Sequence, residues 1–156
     1  TQGVLSKDTF FVPAVSALPA EEMTAALSKI DVRVLIPRQP DSMMLKLASG
    51  SYISDCLRAG IKVYFYEPGM LHSKTIVIDD EFFTTGSTNF DFRSMEYNFE
   101  CNAFIYSKTI NEKMKTAFFA DLAQSTRITS STWRRRPFVQ KFSGAVDESR
   151  AVTIYF

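Results

Sequence analysis

The sequence predicts an α/β sandwich: a mixed β-sheet flanked by helices. Three observations lead there. Short apolar runs alternate with segments of helical periodicity through the first half, the pattern of strands joined by crossover helices. Two further runs, His72 to Asp79 and Phe82 to Thr85, are separated only by Asp80-Glu81, which implies an antiparallel hairpin. A final segment places Ile110, Met114, Ala117, Phe118 and Leu122 along one helical side.

Taken in order, Phe10-Phe11-Val12, ended by Pro13, reads as the first strand. Pro19, Glu21 and Glu22 open a helix running to about Lys29, since proline suits a first helical turn and acidic groups there oppose the macrodipole. Val32 to Ile36, stopped by Pro37, is the second strand. The loop Arg38-Gln39-Pro40-Asp41 places Asp41 or Ser42 to cap the next helix. Leu45, Ala48, Tyr52, Cys56 and Leu57 recur along that helix; Gly50 weakens it and Gly60 stops it. Ile61 to Tyr66 is the third strand, and Pro68-Gly69 turns the chain into the hairpin. Gly86 to Ser94 is polar and irregular. Phe99 to Tyr106 is a strand with Glu100 and Asn102 on one face and Cys101, Ala103 and Ile105 on the other. Thr109 caps the last helix, and beyond Arg127 the signals fade. With no repeat and no linker, residues 1–156 read as one domain carrying a less tightly specified segment over 130–156.

Composition narrows the function. A chain of 156 residues, 46% apolar and 22% charged, has the makings of a core and is neither disordered nor fibrous. Eighteen basic against seventeen acidic residues give a net charge of +1, which argues against a whole-surface nucleic-acid binder. Cys56 and Cys101 are too few for a disulfide framework and point to a reducing compartment. No apolar run approaches the ~18 residues of a membrane span, and nothing at the start reads as a signal peptide. The chain opens on Thr1, so an excerpt or a processed product is expected. His72 is the single histidine, and it shows no ligand spacing with the two cysteines, so neither a metal nor a cofactor is expected.

His72 and Lys74 stand two apart on a predicted strand, so both side chains leave one face. Imidazole beside ammonium suits an anion that must be held and attacked together. Ser87 and Asn89 repeat that spacing after Gly86, whose missing side chain lets backbone approach a ligand. Asp79 has the opposite parity and reads as a structural residue near the strand end. A lone His-x-Lys is ordinarily a satisfied strand histidine beside a snorkelling lysine. The full series His72-x-Lys74-x4-Asp79-x6-Gly86-Ser87-x-Asn89 is different. Six specified residues at fixed offsets arise by chance once in about a million such chains, taking roughly 5% per residue type.

On those six residues the sequence resembles the phospholipase D superfamily. Roughly from Lys7 to Phe142 it looks like the C-terminal half of bacterial cardiolipin synthases, through Phe10-Phe11-Val12-Pro13, Val32 to Pro37, Ala59 to Tyr64, Tyr66 to His72, Asn89 to Ser94 and Asn98-Phe99-Glu100. The resemblance implies a phospholipase D-like sandwich and a catalytic set of His72, Lys74, Asp79 and Glu100. His72 is then the nucleophile that forms a phosphohistidine, or the general acid that protonates the leaving alcohol. Lys74 holds a phosphoryl oxygen, and Ser87 and Asn89 line the phosphate pocket. Glu100 matches the family's carboxylate on the histidine ring nitrogen not used in catalysis, with Glu96 a weaker competitor; an acceptor there fixes the tautomer. An exposed strand carboxylate is the plainer reading of Glu100.

The family carries His at Ser42 and Arg at Gly50 in many members, which leaves the choice of lipid head group open. It also carries two such motifs per chain, and one is present here, so the second must come from an N-terminal half or a homodimer partner. The implied reaction is phosphatidyl transfer making cardiolipin from phosphatidylglycerol, at a bacterial membrane and peripheral to it. Trp133-Arg134-Arg135-Arg136-Pro137-Phe138-Val139-Gln140-Lys141-Phe142 interleaves cations with aromatics, suited to an anionic bilayer at ~1 kcal/mol per cation, or to a solvated face. Two other functions fit the motif: a homodimeric single-motif nuclease, disfavoured by the low net charge, and a non-catalytic phospholipid-binding module, disfavoured by the intact motif.

Overall fold

A computed structural model describes residues 8–12, 26–38, 53–89, 94 and 97–136. Seven strands form one mixed sheet: β1 (Asp8–Val12), β2 (Asp31–Pro37), β3 (Lys62–Tyr66), β4 (Thr75–Ile78), β5 (Phe82–Gly86), β6 (Asn102–Tyr106) and β7 (Ser125–Ile128). Their order across the sheet is β6-β5-β4-β1-β2-β3-β7. β1, β2 and β3 run parallel, while β4 to β6 and β7 are antiparallel to their neighbours.

Both faces of β2 are buried at Val34-Leu35-Ile36, which is why that stretch reads as an unbroken apolar run. Val32, Val34, Ile36 and Val63 pack on one side against Ile53, Cys56 and Ala59 of the helical residues 53–59. Burial there pushes the Cys56 thiol up to about 12, so it acts as an inert core group. Leu35, Val77 and Phe83 face the other way, onto Phe118 of helix α1 (Lys108–Ala123). Helices on both faces make the expected sandwich.

The helix ends were legible. Residues 26–27 are helical and the turn closes with Lys29 at φ 67°, where that helix was expected to stop. Gly60 takes φ +92°, a left-handed stop in which Ile61 N–H donates to the Cys56 carbonyl at 2.9 Å. The helix starts after Pro19 and at Asp41 or Ser42 lie outside the described residues, as do Ser42, Gly50 and Glu96.

Four expectations are corrected. The α1 cap is Ser107 rather than Thr109: β6 ends at Tyr106, and the extended Ser107 accepts from Ile110 N–H. Along α1, Ile110 is 44% exposed and its place is taken by Asn111, fully buried at 0%. Asn111 Nδ2 donates to the Phe82 carbonyl at 2.6 Å and to Ile78 at 3.5 Å, fastening the β4–β5 hairpin to the helix. Around Arg127, and as far as residue 136, the described residues are regular where the signals had faded: β7 lies antiparallel to β3, and Thr129 opens helix α2 (Ser130–Arg134) with a reciprocal Thr132 capping box. Finally, Trp133 packs into the fold, where the sequence had offered a bilayer surface or a solvated face for its segment. It lies against the first core cluster, 6.3 Å from Phe65 between ring centres, and its indole N–H donates to Ser54 Oγ at 2.9 Å. Arg136 stacks on it at 4.1 Å, and residues 137–142 lie outside the described residues.

Candidate active site

The sheet gathers the chemistry at one end. β1 Val12 pairs with β4 Thr75, and β5 Thr85 and Gly86 pair with Thr75 and Asn102. The carboxyl ends of β1, β2, β3 and β5 therefore share an edge with the amino ends of β4 and β6. His72 and Lys74 lead into β4, Ser87 and Asn89 leave β5, and Glu100 leads into β6. Ligands of α/β sheets favour the carboxyl ends of the parallel strands. Asp79 lies at the opposite end of β4, in the hairpin turn, at φ 50°. Asp tolerates that conformation better than most residues, so its place in the fingerprint is explained by the turn, as its parity suggested.

His72 and Lys74 meet by a route other than the expected one. β4 starts at Thr75 instead of His72, where its register with β1 ends at Val12. The pair lies just ahead of the strand, with the Lys74 carbonyl still accepting from Gly86 N–H at 3.2 Å. Lys74 Nζ instead folds back to the His72 carbonyl at 3.3 Å. His72 is exposed and Lys74 half-buried.

Ser87 and Glu100 meet across the β5–β6 ends. Ser87 Oγ donates to Glu100 Oε2 at 2.5 Å, and Asn98 Nδ2 donates to Oε1 at 3.1 Å. Ser87, then Asn98, hold the carboxyl below the usual carboxylate range; Ser94 and the Lys74 charge act in the same direction. Among the described residues no hydrogen bond joins Glu100 to His72. Asn89 Oδ1 is buried with no hydrogen-bond partner among the described residues, an unmet acceptor at the site. Sequence reasoning missed Asn98 and Ser94, whose signal was only that they are polar residues within reach of a carboxylate.

β6 was expected from Phe99 and begins at Asn102, because Ser87 interrupts the ladder. Cys101 N–H donates to Ser87 Oγ at 3.0 Å while Ser87 N–H donates to the Cys101 carbonyl at 3.0 Å. Gly86 makes this possible. A Cβ there would overlap Asn102 Oδ1 and the Cys101 carbonyl and stand 2.6 Å from Asn102 Cα. Its missing side chain thus admits β6 backbone, where a ligand had been expected. Gly86→Ala is expected to cost about 1–3 kcal/mol of stability, seen as a lowered denaturant midpoint. An unchanged midpoint would mean that β6 retreats freely.

A mixed sheet layered by helices, with His, Lys, Ser, Asn and Glu at one end, defines a phospholipase D-like domain. The sequence matches the family described as "Cardiolipin synthase, PLD-like domain" over residues 9–122, and the chain belongs to that family. It is 43% identical over 136 residues to the major cardiolipin synthase of Bacillus subtilis, covering 87% of this chain and 28% of that protein. It is 40% identical over 137 residues to a cardiolipin synthase of Listeria welshimeri, covering 88% of this chain and 28% of that protein. The chain thus spans just over a quarter of the length of these relatives. The fold resembles Nuc of Salmonella typhimurium, a phospholipase D family member, with TM-score 0.62 and 19% identity over 80% of this chain and 84% of that one. It also resembles phosphatidylserine synthase of Haemophilus influenzae, with TM-score 0.63 and 16% identity over 87% of this chain and 38% of that one. No described helix is long and apolar enough to cross a membrane.

Proposed function

We propose that this chain supplies one of the two half-sites of a cardiolipin synthase-type phosphatidyltransferase. The observation that carries the reading is the convergence of His72, Lys74, Ser87, Asn89 and Glu100 on one sheet end, in a chain 43% identical to a cardiolipin synthase. One imidazole attacks the phosphorus of phosphatidylglycerol, forming a P–N bond and breaking the P–O bond to the head-group glycerol. A second imidazole gives that alcohol its proton. A hydroxyl of another phosphatidylglycerol then attacks phosphorus and gives its proton back to the second imidazole, the P–N bond breaks, and cardiolipin leaves. His72 takes one of these parts, while Lys74 and Asn89 hold phosphoryl oxygens.

The one-half reading accounts for a mismatch in the geometry. His72 has no carboxylate partner among the described residues, and Glu100 is armed and aimed with no imidazole bonded to it. A second half-site facing this one supplies both. The enzyme then works peripherally at the bacterial membrane, where exposed Arg134 and Arg135 suit anionic lipid.

Mass spectrometry of the complete enzyme with phosphatidylglycerol tests the reading. Cardiolipin, released glycerol and a phosphatidyl adduct on a motif histidine are the expected products. Cleavage of DNA without lipid product would favour the homodimeric nuclease, and bound lipid left unreacted would favour a binding module.

A further inference from the structure

We propose that Ser87 is a positioning residue for Glu100 and not a ligand of the phosphate. The inference rests on the phosphatidyl-transfer reading and reassigns one residue within it. A serine hydroxyl has a single proton to donate. That proton goes to Glu100 Oε2 at 2.5 Å in preference to the Cys101 carbonyl at 3.5 Å, while the oxygen accepts from Cys101 N–H at 3.0 Å. The Ser87 backbone is tied to the same residue through the Cys101 carbonyl, and the Gly86 gap brings the two strand ends this close. Backbone and side chain are therefore both fixed before any ligand arrives.

A phosphoryl oxygen accepts hydrogen bonds and needs donors. Ser87 could supply one only by releasing Glu100, whereas Lys74 and Asn89 carry an ammonium and an amide to the same sheet end. What Ser87 does supply is orientation. With Asn98 on the other oxygen, it fixes both Glu100 oxygens from opposite sides and favours the ionised form. An ionised, aimed carboxylate is what an imidazole N–H across the site requires.

The test uses Ser87→Ala, which removes the bond, and Ser87→Thr, which keeps a hydroxyl, in the complete enzyme. We expect kcat to fall about tenfold in the alanine variant, the scale of one hydrogen bond to a charged group, with KM for phosphatidylglycerol vesicles unchanged. The sign of the pH effect follows from the lost bond. A carboxyl relieved of a partner that favours its ionised form protonates at higher pH, so the acid limb of kcat moves up. Ser87→Thr restores the limb, and Ser87→Ala adds nothing to Glu100→Gln. A raised KM with an unmoved limb, or additive losses in the double variant, overturns the proposal. If no lipid transfer is found at all, the parent reading fails, and carbon-13 NMR titration of the glutamate carboxyls in the full chain still decides this one. Ser87→Ala must then raise one titration, the signal that Glu100→Gln deletes; an unmoved signal overturns it. Ser87→Cys, near in size but a poor donor, gives the same shift where the alanine variant does not fold.

Discussion

His72→Ala in the complete enzyme is expected to abolish lipid transfer and leave the fold in place. His72 is exposed, and its one hydrogen bond among the described residues is at its carbonyl oxygen, which alanine keeps. Surface substitutions of this kind stay within about 0.5 kcal/mol, so the denaturant midpoint should hardly move. The rate is another matter. A lost general acid or base is typically worth ~10²–10⁴, and a lost nucleophile removes the covalent route entirely. No other imidazole exists in this chain to stand in, because His72 is the only histidine. Lipid transfer and thermal unfolding measured on the same preparation separate the two effects. Normal turnover by a well-folded variant would remove His72 from the chemistry and, with it, the phosphohistidine route.

What the sequence disclosed and what it hid divide along physical lines. β2 and β3 were legible because central parallel strands are buried on both faces, so Val32, Val34, Leu35, Ile36 and Val63 could hardly be anything else. β7 was not. It is an edge strand whose one buried residue is Ile128, and its extended form comes from pairing with β3, a contact that no local pattern encodes. Asn111 escaped because apolar periodicity cannot see a polar core residue, although burial suits it once Phe82 and Ile78 offer their carbonyls. Trp133 beside three arginines looked interfacial. Its partners, Ser54 and Phe65, are far away in sequence and near only in the fold.

The site was legible as a set of residues and hidden as a geometry. Fixed spacing picked out His72, Lys74, Ser87 and Asn89, which lie at one end of the sheet. It could not show that Gly86 makes room for Cys101 and Asn102. Nor could it show that Glu100 is held by Ser87 and Asn98, with no hydrogen bond to His72 among the described residues. Spacing records which side chains a reaction uses. Which of them touch is settled by where the ladder of β6 stops.

Glu100, with no hydrogen bond to His72 among the described residues, leads to the second large expected effect: this chain alone, as a monomer, should be catalytically silent however well it folds. Transfer through a phosphohistidine inverts phosphorus twice and needs a nucleophile on one side and a proton donor on the other. One chain brings one imidazole. Without the second, the leaving alkoxide departs unprotonated, at a cost of ~10²–10⁴ in rate, and the carboxylate held by Ser87 has no ring to orient. Activity should return when a second His-Lys motif arrives, from the rest of a longer chain or from a symmetric partner. Analytical ultracentrifugation fixes the state, and cardiolipin formation measured at the same concentrations fixes the rate. Rate rising with the dimer fraction supports a shared site, and its dependence on a supplied N-terminal half supports the fused arrangement. Turnover by a proven monomer at the rate of the complete enzyme would show that one histidine suffices, and the two-half mechanism would fall with it.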